Sequence, residues 1–236
     1  MNFTLLVFGD AGWGDEMLRG ALMTMAVALC SYGLGVFIGG VLAALKLSSL
    51  LVLRLVADAY TTIIRGVPEL LVIYLVFFGG GGLLRTVANG MFGYEGYIDP
   101  PLFVTGMVCI GISAGAYNTE VIRGAVLAVP MGQIEAAKAI GMSTAQRFRR
   151  ILLPQVARYA LPGLGNVWQL TLKETSLISV IGLVEIMRQA AIASGSTKEP
   201  FTFYLVAALL YLGLTSVSNR GFNRAEVWAS KGVRYG

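Results

Sequence analysis

Long apolar stretches separated by short polar segments dominate the pattern of this 236-residue chain. The first stretch carries no charge between Arg19 and Lys46, and about 20 apolar residues are enough for a helix to cross a bilayer. Four further apolar stretches follow, at about 60–79, 101–119, 162–180 and 199–220. Because these stretches are too long for strands, the pattern predicts an all-α integral membrane protein with five spans, in which residues 1–236 form a single transmembrane domain.

Proline and glycine refine the predicted spans. Pro68 is expected to bend the entry of the second span, because an interior proline removes a backbone donor. The glycine run at 79–82 is expected to end that span, since glycine loses the most backbone entropy in a helix. Four glycines of the first span permit close contact with another helix. They are Gly33, Gly35, Gly39 and Gly40.

Composition agrees with a membrane location and narrows the possible chemistry. Only 13% of the residues are charged, against about 25% in soluble domains. The chain has no histidine, and Cys30 and Cys109 lie in apolar runs where we expect buried thiols. Neither a metal site, a disulfide framework nor a bound cofactor is therefore expected. The net charge of +5 is spread between the apolar runs, which indicates membrane orientation and argues against a nucleic-acid partner.

The distribution of lysine and arginine predicts the orientation of the chain. The N-terminal segment has Arg19 against Asp10, Asp15 and Glu16, whereas the predicted first and third loops and the C-terminal tail are basic. Basic segments of membrane proteins stay on the cytoplasmic side. We therefore expect the N-terminus outside and the C-terminus in the cytoplasm. The early acids and the lack of a basic start also argue against a cleavable signal peptide.

The third loop, at about 130–155, is polar and basic, yet it carries the signals of ordered structure. Ala136, Ala137 and Ile140 share one face of a predicted short helix. Gly141 can stop that helix by adopting a positive φ. The loop is therefore predicted to begin with a helix and a tight turn.

A second short helix is predicted after the glycine. Ser143 and Gln146 have the spacing of a capping box, and we expect this helix to end before Pro154. The result is a helix-turn-helix on the cytoplasmic side. Composition alone also allows a basic loop that serves only topology.

The same loop shows a defining sequence pattern: Glu-Ala-Ala, a glycine after three more residues, and Ile-x-Leu-Pro nine residues later. This pattern resembles the EAA loop of ATP-binding-cassette importer permeases. The resemblance implies that the loop inserts into a groove of a cytoplasmic ATPase subunit, with Glu135 and Gly141 as coupling residues. The matched positions are Glu135, Ala136, Ala137, Gly141, Ile151, Leu153 and Pro154.

The segments 65–71, 116–120, 123–124 and 173–177 resemble the polar-amino-acid branch of these permeases. The start of the chain and the stretch 204–224, including 218–220 and 222–224, are similar to opine permeases within that branch. The resemblance implies a type I importer permease of the bacterial inner membrane that takes up polar or basic amino acids or opines. It also implies a second permease subunit, as a heterodimer, together with two cytoplasmic ATPase subunits and an external solute-binding protein.

Charged groups within the predicted spans indicate a polar path, because a charge in a bilayer is costly unless it is paired or hydrated. Glu120 and Arg123 lie one helical step apart and can pair. In the functional hypothesis, Glu120 meets a cation of the substrate; in the alternative, the charges pair within the chain or with a second subunit. The predicted path residues are Tyr117, Glu120, Lys173, Glu174, Thr175 and Ser176.

The sequence also bears on competing functions. It contains no G-x-x-x-x-G-K-[ST] loop, so ATP is expected to bind a partner chain. Without histidine or a nucleophile–base motif, catalysis by this chain is not expected. The leading prediction is a non-catalytic uptake permease. The alternatives are a passive channel, a membrane enzyme, or a membrane scaffold without ATPase coupling.

Overall fold

The computed structural model describes residues 3–9, 12–92 and 101–231, and within these ranges the chain is helical and contains no strand. The α-helices in chain order are α1 (Gly14–Lys46), α2 (Leu51–Gly66), α3 (Glu69–Phe92), α4 (Leu102–Leu127), α5 (Met131–Ala139), α6 (Thr144–Arg147), α7 (Leu153–Glu174), α8 (Ile186–Thr197) and α9 (Pro200–Ala229). Two 3-10 helices cover Phe3–Leu6 and Thr175–Ile181, and a π turn covers Phe148–Leu152.

Three helices, α1, α4 and α9, are each long and apolar enough to cross a membrane. Two bent pairs pass the same test when each is counted as one span. The first pair joins α2 to α3, and the second joins the segment 144–181 to α8. Counted in this way, the described residues provide the five membrane-crossing units that the sequence predicts, and the predicted all-α class is confirmed.

The second span differs from the prediction. The chain does not run as one helix over 60–79; it breaks at Val67 and Pro68, and the two helices meet at 109°. The extended backbone of Val67, which precedes the proline, explains the break. The prediction that glycines 79–82 end the span is wrong, because α3 continues through them to Phe92.

The fourth span begins earlier than predicted. Helix α7 starts at Leu153 and passes through Pro162 without ending, so the expected start after this proline is wrong. Beyond Glu174 the helix tightens into the 3-10 segment Thr175–Ile181, which ends at Gly182 with a φ of 99°. Helices α1, α4 and α9 extend beyond the apolar stretches predicted for the first, third and fifth spans, since polar residues continue each helix.

Helices α1 and α4 form the central pair of the bundle through small residues. A Cβ atom added at Gly35 would lie 2.7 Å from the Cβ of Ala114, and one at Gly39 would lie 2.6 Å from the Cβ of Asn118. The prediction of close contact is therefore confirmed for these two glycines, whereas Gly33 and Gly40 face open space. On α4 the reciprocal close positions are Gly111 against Leu34 and Gly115 against Ile38.

The cysteines differ from each other in environment. Cys109 is buried in an apolar cluster with Val27 and Ile110, as expected. Cys30 is exposed on the surface of the chain, so the expectation that both thiols are buried is wrong for it. A cysteine on a lipid-facing surface is as apolar in sequence as one in the core, so hydropathy does not separate the two.

Contacts between helix ends place residues 131–152, which we call the elbow, at one end of the bundle. Arg158, just after the elbow, donates from Nε to the backbone oxygen of Ala229 at the end of α9, at 2.8 Å. At the opposite end, Gly20 near the start of α1 packs against the backbone of Glu185. The end of α9 therefore lies on the elbow side, and the start of α1 lies on the other side.

Candidate functional site

The turn of the elbow is fixed by backbone hydrogen bonds around a single glycine. Gly141 has a φ of 80°; its N–H donates to the oxygen of Lys138 at 3.0 Å, and the N–H of Met142 donates to the oxygen of Ala137 at 3.1 Å. These two bonds form a Schellman motif, which satisfies the last carbonyls of α5. The predicted role of Gly141 as the stop of the first short helix is confirmed.

The second half of the elbow begins with the predicted capping box. The N–H of Ser143 donates to Oε1 of Gln146 at 2.9 Å, and the N–H of Gln146 donates to Oγ of Ser143 at 3.3 Å. The expected end before Pro154 is wrong, because α6 continues through the π turn into α7. A wider π turn changes the hydrogen-bond register just before the proline, and Pro154 lies in the first turn of α7, where a missing N–H is tolerated.

The elbow is held against α7 and presents an exposed outer surface. Gln155 donates from Nε2 to Oε1 of Gln133 at 2.6 Å and so links α5 to α7. Ala137 is buried against the rest of the elbow, whereas Glu135 and Ala136 are exposed and Ile140 is 80% exposed. Of the remaining matched positions, Ile151 is half-buried, and Leu153 and Pro154 are exposed. The exposed surface combines an acid, cations, small residues and the apolar side chains of Met131, Ile140 and Phe148, which suits insertion into a groove of a partner.

A pair of acidic side chains lies where the broken second span meets the fourth span. Glu69 is the first residue of α3, and its carboxyl group lies close enough to interact with the Glu174 carboxyl group at the end of α7. Glu174 is only 6% exposed, and its Oε1 atom has no hydrogen-bond partner among the described residues. Two neighbouring carboxyl groups do not readily ionise together, least of all when one of them is buried. A cation that binds between them stabilises their ionised form and fills the open acceptor.

A polar cavity of about 480 Å³ lies beside this acid pair, toward the elbow side. The guanidinium carbon of Arg65 lies 5.5 Å from the ring centroid of Tyr117. Tyr117 is half-buried and experiences the charges of both Glu69 and Glu174. Tyr117 therefore connects the acid pair with the cavity. The cavity is lined by Lys46, Thr61, Thr62, Arg65, Gly66, Tyr117 and Glu120.

Glu120 lies in an ion network at the elbow end of this cavity. Its Oε2 atom accepts from Nε and Nη2 of Arg123 at 3.0 and 2.9 Å, and its Oε1 atom accepts from Nζ of Lys46. Lys46 also contacts Oδ1 of Asp58 at 2.8 Å. The predicted pairing of Glu120 with Arg123 is confirmed. Since both carboxylate oxygens already have cationic partners, the geometry favours the pairing alternative over direct contact with substrate.

Lys173 lies on another face of α7, away from Glu174. It is exposed, and among the residues that the structure describes no carboxylate lies within 4.0 Å of its ammonium group. It lines a groove of about 410 Å³ between α7, α8 and α9. The other lining residues are Ser176, Met187, Tyr204, Ala207, Ala208 and Tyr211.

Thr175 belongs to a third environment, around the buried carboxylate of Glu185. Its hydroxyl donates to the oxygen of Leu172 at 2.7 Å and lies 3.4 Å from the hydroxyl of Tyr211. Tyr211 in turn donates to Oε2 of Glu185 at 2.8 Å. The six predicted path residues therefore do not form one site. Tyr117 and Glu174 lie together at the acid pair. Glu120 belongs to the ion network, Thr175 lies near Glu185, and Lys173 and Ser176 line the groove between α7, α8 and α9.

Sequence reasoning did not include Glu69 among the candidate site residues. It lies near the start of the predicted second span, at about 60–79, and within the segment 65–71. An acid directly after Pro68 in an apolar stretch was the available signal, since a proline break can hold a charge at the depth of the bilayer.

Comparisons with known proteins identify the family of this chain. A family model described as binding-protein-dependent transport system inner membrane component matches residues 34–224. The nopaline transport system permease protein NocQ of Agrobacterium fabrum is 68% identical, covering 99% of each chain. The octopine transport system permease protein OccQ of Rhizobium radiobacter is 53% identical over 98% of each chain. HisQ of Salmonella typhimurium, a histidine/lysine/arginine/ornithine transport system permease protein, is 46% identical over 94% of this chain and 97% of the relative.

Solved structures show the same architecture. A chain from the crystal structure of an amino acid ABC transporter with histidines is 31% identical, with a TM-score of 0.77 over 91% of this chain and 94% of that chain. A chain of the MetNI methionine ABC transporter in an inward-facing conformation has a TM-score of 0.71 at 17% identity, covering 91% of this chain and 96% of that chain. The second likeness concerns the fold alone.

Proposed function

The chain belongs to the family of inner membrane components of binding-protein-dependent transport systems, and from this premise we propose that it imports opines or basic amino acids. As the membrane component of an ABC transporter it is a non-catalytic permease subunit, and ATP hydrolysis belongs to separate subunits. The sequence-based prediction of an uptake permease of the inner membrane is confirmed at this level.

The acid pair is the observation that carries the choice of substrate. Glu174 is buried, has an open acceptor and lies beside a second carboxylate. Such a site is complementary to a cationic group, because a buried charge requires an opposite charge or several hydrogen bonds. Amino and guanidinium groups of basic amino acids and their derivatives meet this requirement. The names of the relatives, which include lysine, arginine, ornithine, nopaline and octopine, support the same substrate class.

The proposed route runs from the acid pair past Tyr117 into the polar cavity on the elbow side. Glu69 and Glu174 bind the cation, and Arg65 at the cavity is available to a carboxylate of the same substrate. The ion network of Lys46, Glu120 and Arg123 neutralises the charges at the end of the route. An amino acid derivative carries both positive and negative charges. The acids bind its cationic group, and Arg65 binds its carboxylate.

The elbow is proposed to couple the bundle to a cytoplasmic ATPase subunit. Its exposed Glu135 and Ala136 offer one acid and one small side chain to a groove, and the Schellman motif at Gly141 keeps the two short helices at a fixed angle. Closure of the ATPase pair then moves the elbow, and the bundle alternates between outward- and inward-facing states. An elbow on the cytoplasmic side gives the C-terminus a cytoplasmic location and the N-terminus an external one.

A second permease subunit completes the proposed complex. The exposed Lys173 is a cation within a membrane-spanning segment, and such residues pair with an acid or face water. Because no described carboxylate approaches it, a second subunit that supplies an acid is the proposed partner. The family resemblance implies a related but different chain, and two such subunits have two ATPase subunits and an external solute-binding protein as further partners.

The test is transport by the complex reconstituted in proteoliposomes with its binding protein and ATPase. Glu135→Lys is expected to reduce substrate-stimulated ATP hydrolysis and uptake at least about tenfold, because it reverses a charge at the contact with the ATPase. Glu226→Lys is the matched control, since it makes the same charge change on the elbow side but outside the elbow.

Two outcomes would contradict the proposal. Solute flux that persists without any ATPase subunit would identify a passive channel. Full ATPase stimulation and uptake in Glu135→Lys would exclude the elbow as the coupling element.

A further inference from the structure

Helix α9 is longer than the membrane requires. Its 30 residues span about 45 Å at 1.5 Å per residue, whereas the hydrocarbon core of a bilayer is about 30 Å thick. Its apolar part precedes Arg220, so the excess length lies in the last turns. These turns are on the elbow side of the bundle, because Arg158 bonds the backbone oxygen of Ala229.

The rotation of these last turns is fixed by aromatic packing. Phe222 lies with its ring centroid 6.4 Å from those of Trp168 and Tyr32, both inside the bundle. Its ring also fills the space beside Gly165, where a Cβ atom would lie 3.2 Å from the ring. One face of the helix end is therefore held against α1 and α7, and the opposite face is turned outward.

The outward face combines cations with an aromatic side chain, and we call it the basic stripe. Its members recur at helical spacing, and Trp228 is 73% and Val227 67% exposed. A cavity of about 430 Å³ is lined by five residues of this stripe, among them Arg224 and Lys231. Among the described residues, no carboxylate lies within 4.0 Å of its cations. The members are Arg220, Asn223, Arg224, Val227, Trp228 and Lys231.

We propose that the basic stripe binds the headgroup of an anionic phospholipid of the inner leaflet. Tryptophan is enriched at the headgroup level of membranes, where its ring is apolar and its N–H is polar. Arginine and lysine beside it provide the charge that a phosphate requires. The stripe continues directly from a membrane-spanning helix, so its position along the membrane normal is that of the headgroups. The proposal rests on the cytoplasmic location of the elbow.

Trp228 makes a local test possible. The complete transporter is placed in nanodiscs that contain brominated phosphatidylglycerol or, at the same mole fraction, brominated phosphatidylcholine, and tryptophan fluorescence is recorded. The signal of Trp228 is isolated by subtracting that of a Trp228→Phe complex. We expect stronger quenching of Trp228 by the anionic lipid, because each basic side chain near an anionic membrane strengthens the contact about fivefold.

The charge requirement is tested with a double variant. Arg224→Gln with Lys231→Gln is expected to reduce the quenching by phosphatidylglycerol to the level seen with phosphatidylcholine. Arg54→Gln with Arg188→Gln removes two exposed cations elsewhere and is expected to leave the difference between the lipids unchanged.

Equal quenching of Trp228 by both lipids would overturn the proposal, as would a lipid difference that survives the stripe double variant. Absence of quenching by either lipid would also overturn it and would indicate that a protein partner covers the stripe. None of these readouts depends on transport. Failure of the lipid site and failure of the proposed import function are therefore distinguishable.

Discussion

Glu174 and Glu185 are both buried acids, on either side of the 3-10 segment of the fourth span, yet their hydrogen bonding differs. Glu185 is 1% exposed, and each of its oxygens has a donor. Oε1 accepts from the backbone N–H of Arg188 at 2.8 Å, and Oε2 accepts from the hydroxyls of Tyr211 at 2.8 Å and Thr24 at 3.3 Å. Glu174 has one oxygen without a partner and a second carboxyl group beside it.

The difference separates an acid that stabilises the fold from an acid that is available to a ligand. At Glu185 the carboxylate caps the N-terminus of α8 and links three helices, so the energy of its burial is recovered in hydrogen bonds. At Glu174 the Oε1 atom has no such donor among the described residues. In the proposed function, a cationic substrate provides the missing partner.

The largest expected effect is the loss of stability when Glu185, whose oxygens both accept hydrogen bonds, is replaced. Glu185→Leu removes the cap of α8 and leaves the buried hydroxyls of Tyr211 and Thr24 without their acceptor. We expect a loss of about 3 kcal/mol or more in stability, measured as loss of monodisperse protein after extraction in detergent. Glu185→Gln keeps an oxygen for the cap and is the control; equal abundance of the Leu variant and wild type would refute the structural role.

Substitution of Glu174 is expected to reduce uptake without reducing stability, in contrast to substitution of Glu185. Glu174→Gln should reduce uptake of a cationic substrate at least about tenfold, because glutamine cannot supply a negative charge. Abundance and melting temperature should stay equal or rise, because a neutral amide is no more costly to bury than a carboxyl group. Glu199→Gln, the same substitution at the start of α9, is the control for uptake in proteoliposomes. Wild-type uptake in Glu174→Gln would remove this residue from the substrate site.

Tyr211→Phe tests the hydrogen bonding of Glu185 with a smaller change than Glu185→Leu. It deletes a single donor to Glu185 and leaves the cap and the Thr24 bond in place. We expect destabilisation of about 1–3 kcal/mol, seen as a lower melting temperature of the purified complex, without a change in the substrate concentration that gives half-maximal uptake. A change in that concentration at constant stability would instead connect the Glu185 network to substrate binding.

Glu120→Gln is expected to give the smallest effect. Lys46 retains Asp58, and the partly exposed pair with Arg123 contributes less than about 1 kcal/mol. Uptake is therefore expected to stay within about threefold of wild type. A loss as large as that of Glu174→Gln, at normal abundance, would restore Glu120 as a substrate contact and weaken the distinction between satisfied and unsatisfied acids.

Features set by neighbouring residues could be predicted from the sequence. The turn at Gly141 and the capping box of Ser143 and Gln146 depend on groups within five positions of each other, so their signals are complete in a short segment. The length of the apolar stretches was likewise enough to predict the all-α class and the spans, of which the described residues provide up to five.

Features set by contacts between distant residues could not be predicted. The proximity of Glu69 to Glu174 depends on the 109° bend at Pro68 and on the packing of α3 against the fourth span. The same limit explains why Gly35 and Gly39 face α4 while Gly33 and Gly40 do not. Prolines 154 and 162 were expected to bound helices, but a π register and the surrounding bundle accommodate them.

The π turn between α6 and α7 has a mechanical consequence. From Thr144 to Glu174 every residue is helical, so the far half of the elbow and one member of the acid pair occupy a single rod about 45 Å long. A tilt of about 5° at one end of such a rod displaces the other end by about 4 Å. A displacement of that size is larger than the separation between hydrogen-bonded atoms, so in the proposed coupling a small angular change at the elbow is sufficient to release a cation from the acid pair.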